Sequence, residues 1–317
     1  MFNASRLKLK RVAVIAAALA AALMVVPAIA SAELPVSYSI TSGFDAYGHP
    51  EMSPPGSNDW ACQLTAAHPR PVVLVHATLA DQGDNWGTLS PLLKNNGYCV
   101  FSFTYGETAA SNGKIFGIGP VRDGAAELSS FVDQVLAATG VAKVDMVGHS
   151  QGGMMPNYYI KFLGGAAKTK TLVALGPTNH GTTLDGLLVL AHWWNVLFPP
   201  DPSAPAVGSD YQGLLDQEYD SEFIQELNSV PDTVPGVNYT VIATMYDKVV
   251  TPYRSAFLSG GGGTIKNITI QDKCALDFTG HVSLAFDHVA LNEVLNALDP
   301  AHAHGTSCTP VWPLIGG

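Results

Sequence analysis

Charge is scarce in this 317-residue chain: only 13% of its residues are Asp, Glu, Lys or Arg, against 47% that are hydrophobic. A composition so poor in charge folds around a large core, which excludes a disordered segment and a coiled coil. Cations are the scarcer sign, 16 Lys and Arg against 26 Asp and Glu, for a net charge of −10. An acidic surface repels phosphate groups, so neither nucleic acid nor an anionic bilayer is an expected partner. Cysteine is limited to Cys62, Cys99, Cys274 and Cys308. No two of these lie close in sequence and no His-rich spacing accompanies them, which argues against a zinc site, and no metal is expected. No internal repeat is visible.

Long apolar runs are also missing after the first thirty-odd residues, which have the pattern of an export signal. Arg6, Lys8, Lys10 and Arg11 precede an apolar stretch from Val12 to Val26, and Ala30-Ser31-Ala32 forms a small-residue cleavage site. The stretch is too short to span a bilayer and ends at Pro27, so stable membrane insertion is not expected. Cleavage after Ala32 leaves 285 residues, 33–317, and moves the net charge to −14, because four cations and no acids are removed. The expectation is a secreted, extracellular protein built as one domain. Exported cysteines pair. Of the three pairings that four cysteines permit, Cys62–Cys99 and Cys274–Cys308 close local loops of about 38 and 35 residues, each adding roughly 4 kcal/mol, whereas the others cross the whole domain.

From residue 71 onward, short apolar runs alternate with helical patterns, the signature of a mostly parallel sheet flanked by helices. Strands are expected at 71–76, 98–104, 143–147, 170–175, 238–245 and 264–270. Helices are expected at 86–96, 121–139, 153–162 and 288–298, with Gly97 and Gly140 as stops and Asp287 as an N-cap. The interval 182–235 breaks the rhythm. It holds Leu187, Leu188, Leu190, Trp193, Trp194, Leu197 and Phe198, a Pro-rich turn, and a more polar helix around Asp220 to Leu227, which together have the character of a cap or lid-like insertion.

The chemistry-bearing motif is Gly148-His149-Ser150-Gln151-Gly152. A serine on a tight strand-to-helix turn adopts strained backbone angles, and a glycine two residues to either side removes the Cβ clashes that would forbid it. Such a pentapeptide can arise by chance in a chain with 31 glycines, but this one is unique in the sequence, follows an apolar strand and precedes a helical pattern. A serine hydroxyl needs a base, and in this architecture acid and base follow it in chain order. Asp247 comes just after the strand ending near Met245, and His281 follows the last strand. His288, in the first turn of the closing helix, is the chief rival to His281, while Asp232, Asp272 and Asp277 compete with Asp247. Charge developing on a carbonyl oxygen calls for two backbone N–H donors. Gln151, at a helix start, would supply one. Thr78, after the first strand, would supply the other, with its hydroxyl as a third donor.

The elbow, His76-Ala77-Thr78, Asn179-His180-Gly181-Thr182-Thr183, Tyr246-Asp247 and Gly280-His281 resemble the secreted α/β-hydrolase lipases, both the bacterial class 2 triacylglycerol lipases and the fungal lipase B type. The resemblance runs from about residue 60 to 308. It implies a triad of Ser150, Asp247 and His281, an oxyanion hole at Thr78 and Gln151, and two bridges where the cysteines stand. One departure is Ala77, where the family usually has glycine; a Cβ there matters if the turn needs positive φ. By the same resemblance the segment from Leu184 to Phe198 lies above the nucleophile, with Leu187, Leu188, Trp193 and Trp194 lining an acyl pocket; the other reading is a core helix. The implied protein is a monomeric serine ester hydrolase without cofactor, acting on acylglycerols and touching a lipid interface transiently. A cutinase-like polyesterase, an exported acyltransferase and a lipid-binding module with a vestigial site are the rivals.

Overall fold

The computed structural model describes residues 32–197 and 209–313, apart from the side chains of 184, 193–195, 197 and 209. The expected signal segment therefore lies outside the described residues except for Ala32. Six strands form one sheet: β1 (Val72–Val75), β2 (Val100–Phe103), β3 (Val144–His149), β4 (Thr169–Leu175), β5 (Asn238–Ala243) and β6 (Thr264–Thr269). Their order is β2-β1-β3-β4-β5-β6, and every neighbouring pair is parallel. The α/β architecture expected from the alternating pattern is thus present. Strand order reverses between β1 and β3. In an open parallel sheet such a reversal leaves a crevice at the carboxyl ends of the strands, because the flanking connections depart to opposite sides.

The helices are α1 (Gln82–Asn85), α2 (Leu89–Asn95), α3 (Val121–Thr139), α4 (Gln151–Phe162), α5 (Leu184–Leu197), α6 (Gln212–Leu215), α7 (Glu222–Leu227), α8 (Ile270–Lys273) and α9 (His288–Leu298). Alternation along the strands divides the core between two faces. Val73, Val75, Phe101 and Met146 pack with Ala125, Leu128 and Val132 of α3 and with α4. Val72, Leu74, Val147 and Ile242 pack with Leu89 and Leu93 of α2 and with Val289, Leu291 and Val294 of α9. All of these are buried, and burial of each aliphatic side chain contributes about 1.5–3 kcal/mol.

Local chemistry explains where the elements depart from expectation. The helix expected over 86–96 starts later, as α2 at Leu89, and the short α1 precedes it. Asp81 starts α1 early through a capping box, its Oδ1 accepting from Gly83 N at 2.7 Å and Asp84 N at 2.9 Å. Gly87 lies between the two helices, where a Cβ would meet the Ser42 carbonyl. Strand β5 ends at Ala243 rather than Met245, because Thr244 turns the chain: its hydroxyl donates to Thr279 O at 2.8 Å and its carbonyl accepts from Asp247 N. As expected, α3 stops at Gly140 with φ 70°, and Asp287 caps α9 by accepting from Val289 N at 2.8 Å.

Within the interval 182–235 two halves behave differently. Leu190 of α5 and Leu214 of α6 pack with Leu79 and Val249, on the loops that leave β1 and β5. Phe223, Ile224 and Leu227 of α7 instead belong to the main core beside α4. Both bridges form, Cys62 to Cys99 and Cys274 to Cys308. Among the described residues no helix is long and apolar enough to cross a membrane.

Candidate active site

The crevice at the strand reversal holds a serine forced into a rare conformation. Ser150 links β3 directly to α4 with φ 56° and ψ −123°, an arrangement that costs a non-glycine residue of order 1–3 kcal/mol. The two elbow glycines make it sterically feasible. A Cβ on Gly148 would overlap the Gly152 carbonyl, and one on Gly152 would overlap the carbonyls of Val75 and His76. The Ser150 N–H donates to Leu175 O at 2.8 Å, anchoring the turn to β4.

Two loops from the far side of the sheet meet this hydroxyl. His281 Nε2 lies 2.9 Å from Ser150 Oγ, and His281 Nδ1 lies 2.8 Å from Asp247 Oδ2. The other carboxylate oxygen of Asp247 accepts from Val249 N and Val250 N, each at 2.8 Å, so the carboxylate cannot rotate away from the imidazole. All three side chains are buried. Gly176, just beyond β4, passes beneath the pair with φ 50°; a Cβ there would press on His281 Nδ1 at 3.2 Å. Gln271 Nε2 donates to Thr244 Oγ1 and to Asp277 O, each at 3.0 Å, and so fastens the loop that carries the acid to the loop that carries the imidazole.

The rivals sit elsewhere. His288 begins α9 with Nε2 3.1 Å from Ser307 O and 3.2 Å from Thr309 Oγ1. Asp277 is buried and accepts from Thr279 N, Asp232 pairs with His180 at 3.2 Å, and Asp272 is exposed.

Thr78 and Gln151 both lie against Gly117, whose missing Cβ would come 3.3 Å from Thr78 Cα and 3.4 Å from Gln151 Oε1. Gln151 is the first residue of α4, where backbone N–H groups have no partner within the helix. Its side chain is fully engaged, donating to Gly117 O at 3.0 Å and Gly213 O at 2.9 Å and accepting from Tyr105 OH at 2.9 Å. Thr78 Oγ1 accepts from Gln217 Nε2 at 2.9 Å, which leaves the hydroxyl proton available to a third atom. The concern raised by Ala77 is resolved by geometry: positive φ falls two residues later, at Leu79 with 70°, so the Ala77 Cβ is not strained.

Three contributors escaped the sequence reading. His149, within the elbow, is buried with Nδ1 3.1 Å from Asn85 Oδ1 and Nε2 3.0 Å from the His281 carbonyl. Burial, and then the neighbouring His281, lower its pKa to about 3, so the ring is neutral at neutral pH. A neutral imidazole carries one N–H and donates to one of these oxygens at a time. Asn85 Oδ1 also accepts from Ala77 N at 3.0 Å. One amide therefore links the residue before Thr78, the residue before Ser150 and, through the ring, the backbone of His281. Gln217 is the third: besides Thr78 it donates to Gly213 O at 2.8 Å and accepts from Thr178 Oγ1 at 3.1 Å. No short motif marks Asn85 or Gln217.

Two cavities flank His281. One of about 50 Å³ touches Thr78, His149 and Leu190; the other, of about 510 Å³, touches Val189, Tyr246, Phe278 and Trp312. From α5 the lining residues are thus Val189 and Leu190 rather than the expected Leu187 and Leu188. Successive helix positions turn by roughly 100°, which carries Leu187 into the interior and leaves Leu188 59% exposed. The side chains of Trp193 and Trp194 lie outside the described residues. Also among the described residues, no group of three His, Cys, Asp or Glu side chains could hold a metal ion.

A parallel sheet with a serine elbow, an imidazole and a carboxylate at its carboxyl edge defines an α/β-hydrolase. The profile of the class 2 lipase family matches residues 69–292, and the chain belongs to that family. Among curated proteins it is similar to triacylglycerol lipases from Burkholderia plantarii, 36% identical over 103 residues, and Pseudarthrobacter phenanthrenivorans, 37% identical over 98 residues. These matches cover 31% and 29% of this chain but only 27% and 28% of the relatives. The fold is similar to that of Aspergillus fumigatus lipase B, with a TM-score of 0.58 and 18% identity over 80% of this chain and 57% of that one. It is also similar to Bacillus licheniformis lipase BlEst2, with a TM-score of 0.51 and 16% identity over 78% of this chain and 95% of that one.

Proposed function

We propose that the protein is an exported serine hydrolase that cleaves carboxyl esters of acylglycerols through an acyl-enzyme. The observation that carries this reading is the unbroken chain of hydrogen bonds from Ser150 Oγ through His281 to Asp247, with spacings of 2.9 and 2.8 Å. Ser150 Oγ attacks the ester carbonyl while His281 Nε2 takes its proton. The N–H groups of Thr78 and Gln151, with the Thr78 hydroxyl, receive the oxyanion; losing one such donor costs about 3–4 kcal/mol of transition-state stabilisation. His281 then returns the proton to the departing alkoxide, and water repeats the sequence to release the acid. Asp247 holds the imidazole with Nδ1 protonated throughout. Every step uses side chains and backbone alone, so no cofactor enters.

The catalytic unit is residues 33–317, acting as a monomer after removal of 1–32, with α5 and α6 as the cap over the crevice. Support for export comes from the n-region, the apolar run, the small-residue site and the two bridges, which persist in oxidising compartments. The test is labelling with a fluorophosphonate probe alongside hydrolysis of a panel of acylglycerols. Wild type should label and turn over; Ser150→Ala should do neither while keeping its Tm. Ester cleavage by Ser150→Ala near the wild-type rate would reject the assignment. Product analysis with an added alcohol separates hydrolysis from acyl transfer, and a polyester film tests the polyesterase alternative.

A further inference from the structure

We infer that the 510 Å³ groove beside His281 is a subsite for an aromatic ring carried on the alcohol part of the ester, an assignment that rests on the hydrolase reading above. Three rings line it. Phe278 lies 5.8 Å from Trp312, at an interplanar angle of 20°, and 5.5 Å from Tyr246 at 45°. Val189, Val249, Val282 and Pro313 add to the apolar lining.

The wall is built, not a loose end of chain. Phe278 N donates to Val311 O at 3.0 Å and Val311 N donates to Leu276 O at 3.2 Å, so the tail pairs with the His281 loop just before Trp312. The Cys274–Cys308 bridge closes the same unit three residues further back. Val311 is fully buried, whereas Trp312 is 58% exposed. Trp312 stacks on Phe278 yet stays more than half exposed among the described residues, so its ring offers further stacking surface.

The side of the substrate follows from proton transfer. His281 must deliver its proton to the leaving alkoxide, so the leaving group lies next to the imidazole, and the groove is bordered by Gly280, His281 and Val282. The cavity on the Thr78 side also touches His281 but has only about a tenth of the groove's volume. Aromatic rings facing other rings gain offset or edge-to-face contact beyond the area they bury, worth roughly 2- to 10-fold in rate or affinity. An alkyl chain gains only the burial.

The full-length protein is assayed on three butyrates: ethyl, octyl and 2-phenylethyl, the last two having alcohols of equal carbon number. Trp312→Leu keeps an apolar side chain but removes the ring. The 2-phenylethyl to octyl ratio of kcat/KM should fall roughly 2- to 10-fold in Trp312→Leu and return in Trp312→Phe. Both variants should keep the wild-type Tm. An unchanged ratio overturns the subsite. A shift seen instead with ethyl 3-phenylpropionate against ethyl nonanoate overturns the alcohol-side placement. If wild type hydrolyses none of these esters, the hydrolase reading itself falls and takes the subsite with it.

Discussion

Replacing Asn85 by leucine, an apolar side chain of nearly the same shape, separates holding the site from holding the fold. Asn85 is buried, and its Oδ1 accepts from Ala77 N at 3.0 Å and faces His149 Nδ1 at 3.1 Å. Its Nδ2 is buried with no partner among the described residues. Leucine therefore leaves the Ala77 N–H unpaired, at about 1–3 kcal/mol, but removes an unpaired donor of similar penalty, so the net loss of stability should be about 1 kcal/mol. Catalysis should suffer more. Freeing the Ala77–Thr78 peptide misaligns one oxyanion donor, and releasing His149 loosens the His281 backbone. Complete loss of a donor lowers kcat about 100- to 1000-fold, so displacement should lower it by about 10-fold or more with KM little changed. Steady-state kinetics on a soluble short-chain ester, with a urea melt of the same sample, decide the matter. A kcat within about twofold of wild type in a folded variant would refute the brace.

Other outcomes follow from the same geometry. His281→Ala should lose about 10⁴-fold or more in kcat, whereas His288→Ala, whose contacts to Ser307, Thr309 and Tyr38 lie away from Ser150, should retain most activity; the opposite ranking by esterase assay would exchange their roles. Burial first, and then the neighbouring Asp277, push the Asp287 pKa up to about 8 from an ordinary 3.8. A carboxyl raised in this way favours the folded state while protonated, so its contribution is complete below pH 3.8 and is lost as pH rises through about 8. Denaturation midpoints measured from pH 5 to 9 should decline, and Asp287→Asn, which keeps the cap on Val289 N, should flatten the decline; an equal slope in the variant would discard this cause. Removing the Cys274–Cys308 bridge with two serines should cost about 4 kcal/mol by the loop-entropy estimate, read by chemical denaturation, and a loss under about 1 kcal/mol would contradict it.

Legibility in the sequence tracked how local the physics is. The strands and α3 were visible because alternation, helical spacing and glycine stops act within a few residues, and β1 to β6 each lie within two residues of the expected bounds. The close approach of Ser42 to Gly87, between α1 and α2, was not visible, because Ser42 is a long-range neighbour. The serine elbow announces itself through its flanking glycines, whose need is steric and adjacent. Asn85 and Gln217 announce nothing: each acts through one side-chain amide on atoms many residues away.

Residue order alone determined that a strained serine turn follows an apolar strand and that acid and base candidates come after it, since backbone sterics and strand ends are properties of short segments. It also narrowed four cysteines to two local bridges. Only the folded sheet decided which histidine meets Ser150, because His281 and His288 are seven positions apart and chemically the same side chain, and the difference lies in which loop the packing of β6 and α9 turns toward the crevice. The same packing set the Tyr246, Phe278 and Trp312 wall and the Asn85–His149 link, contacts that depend on where the chain returns in space.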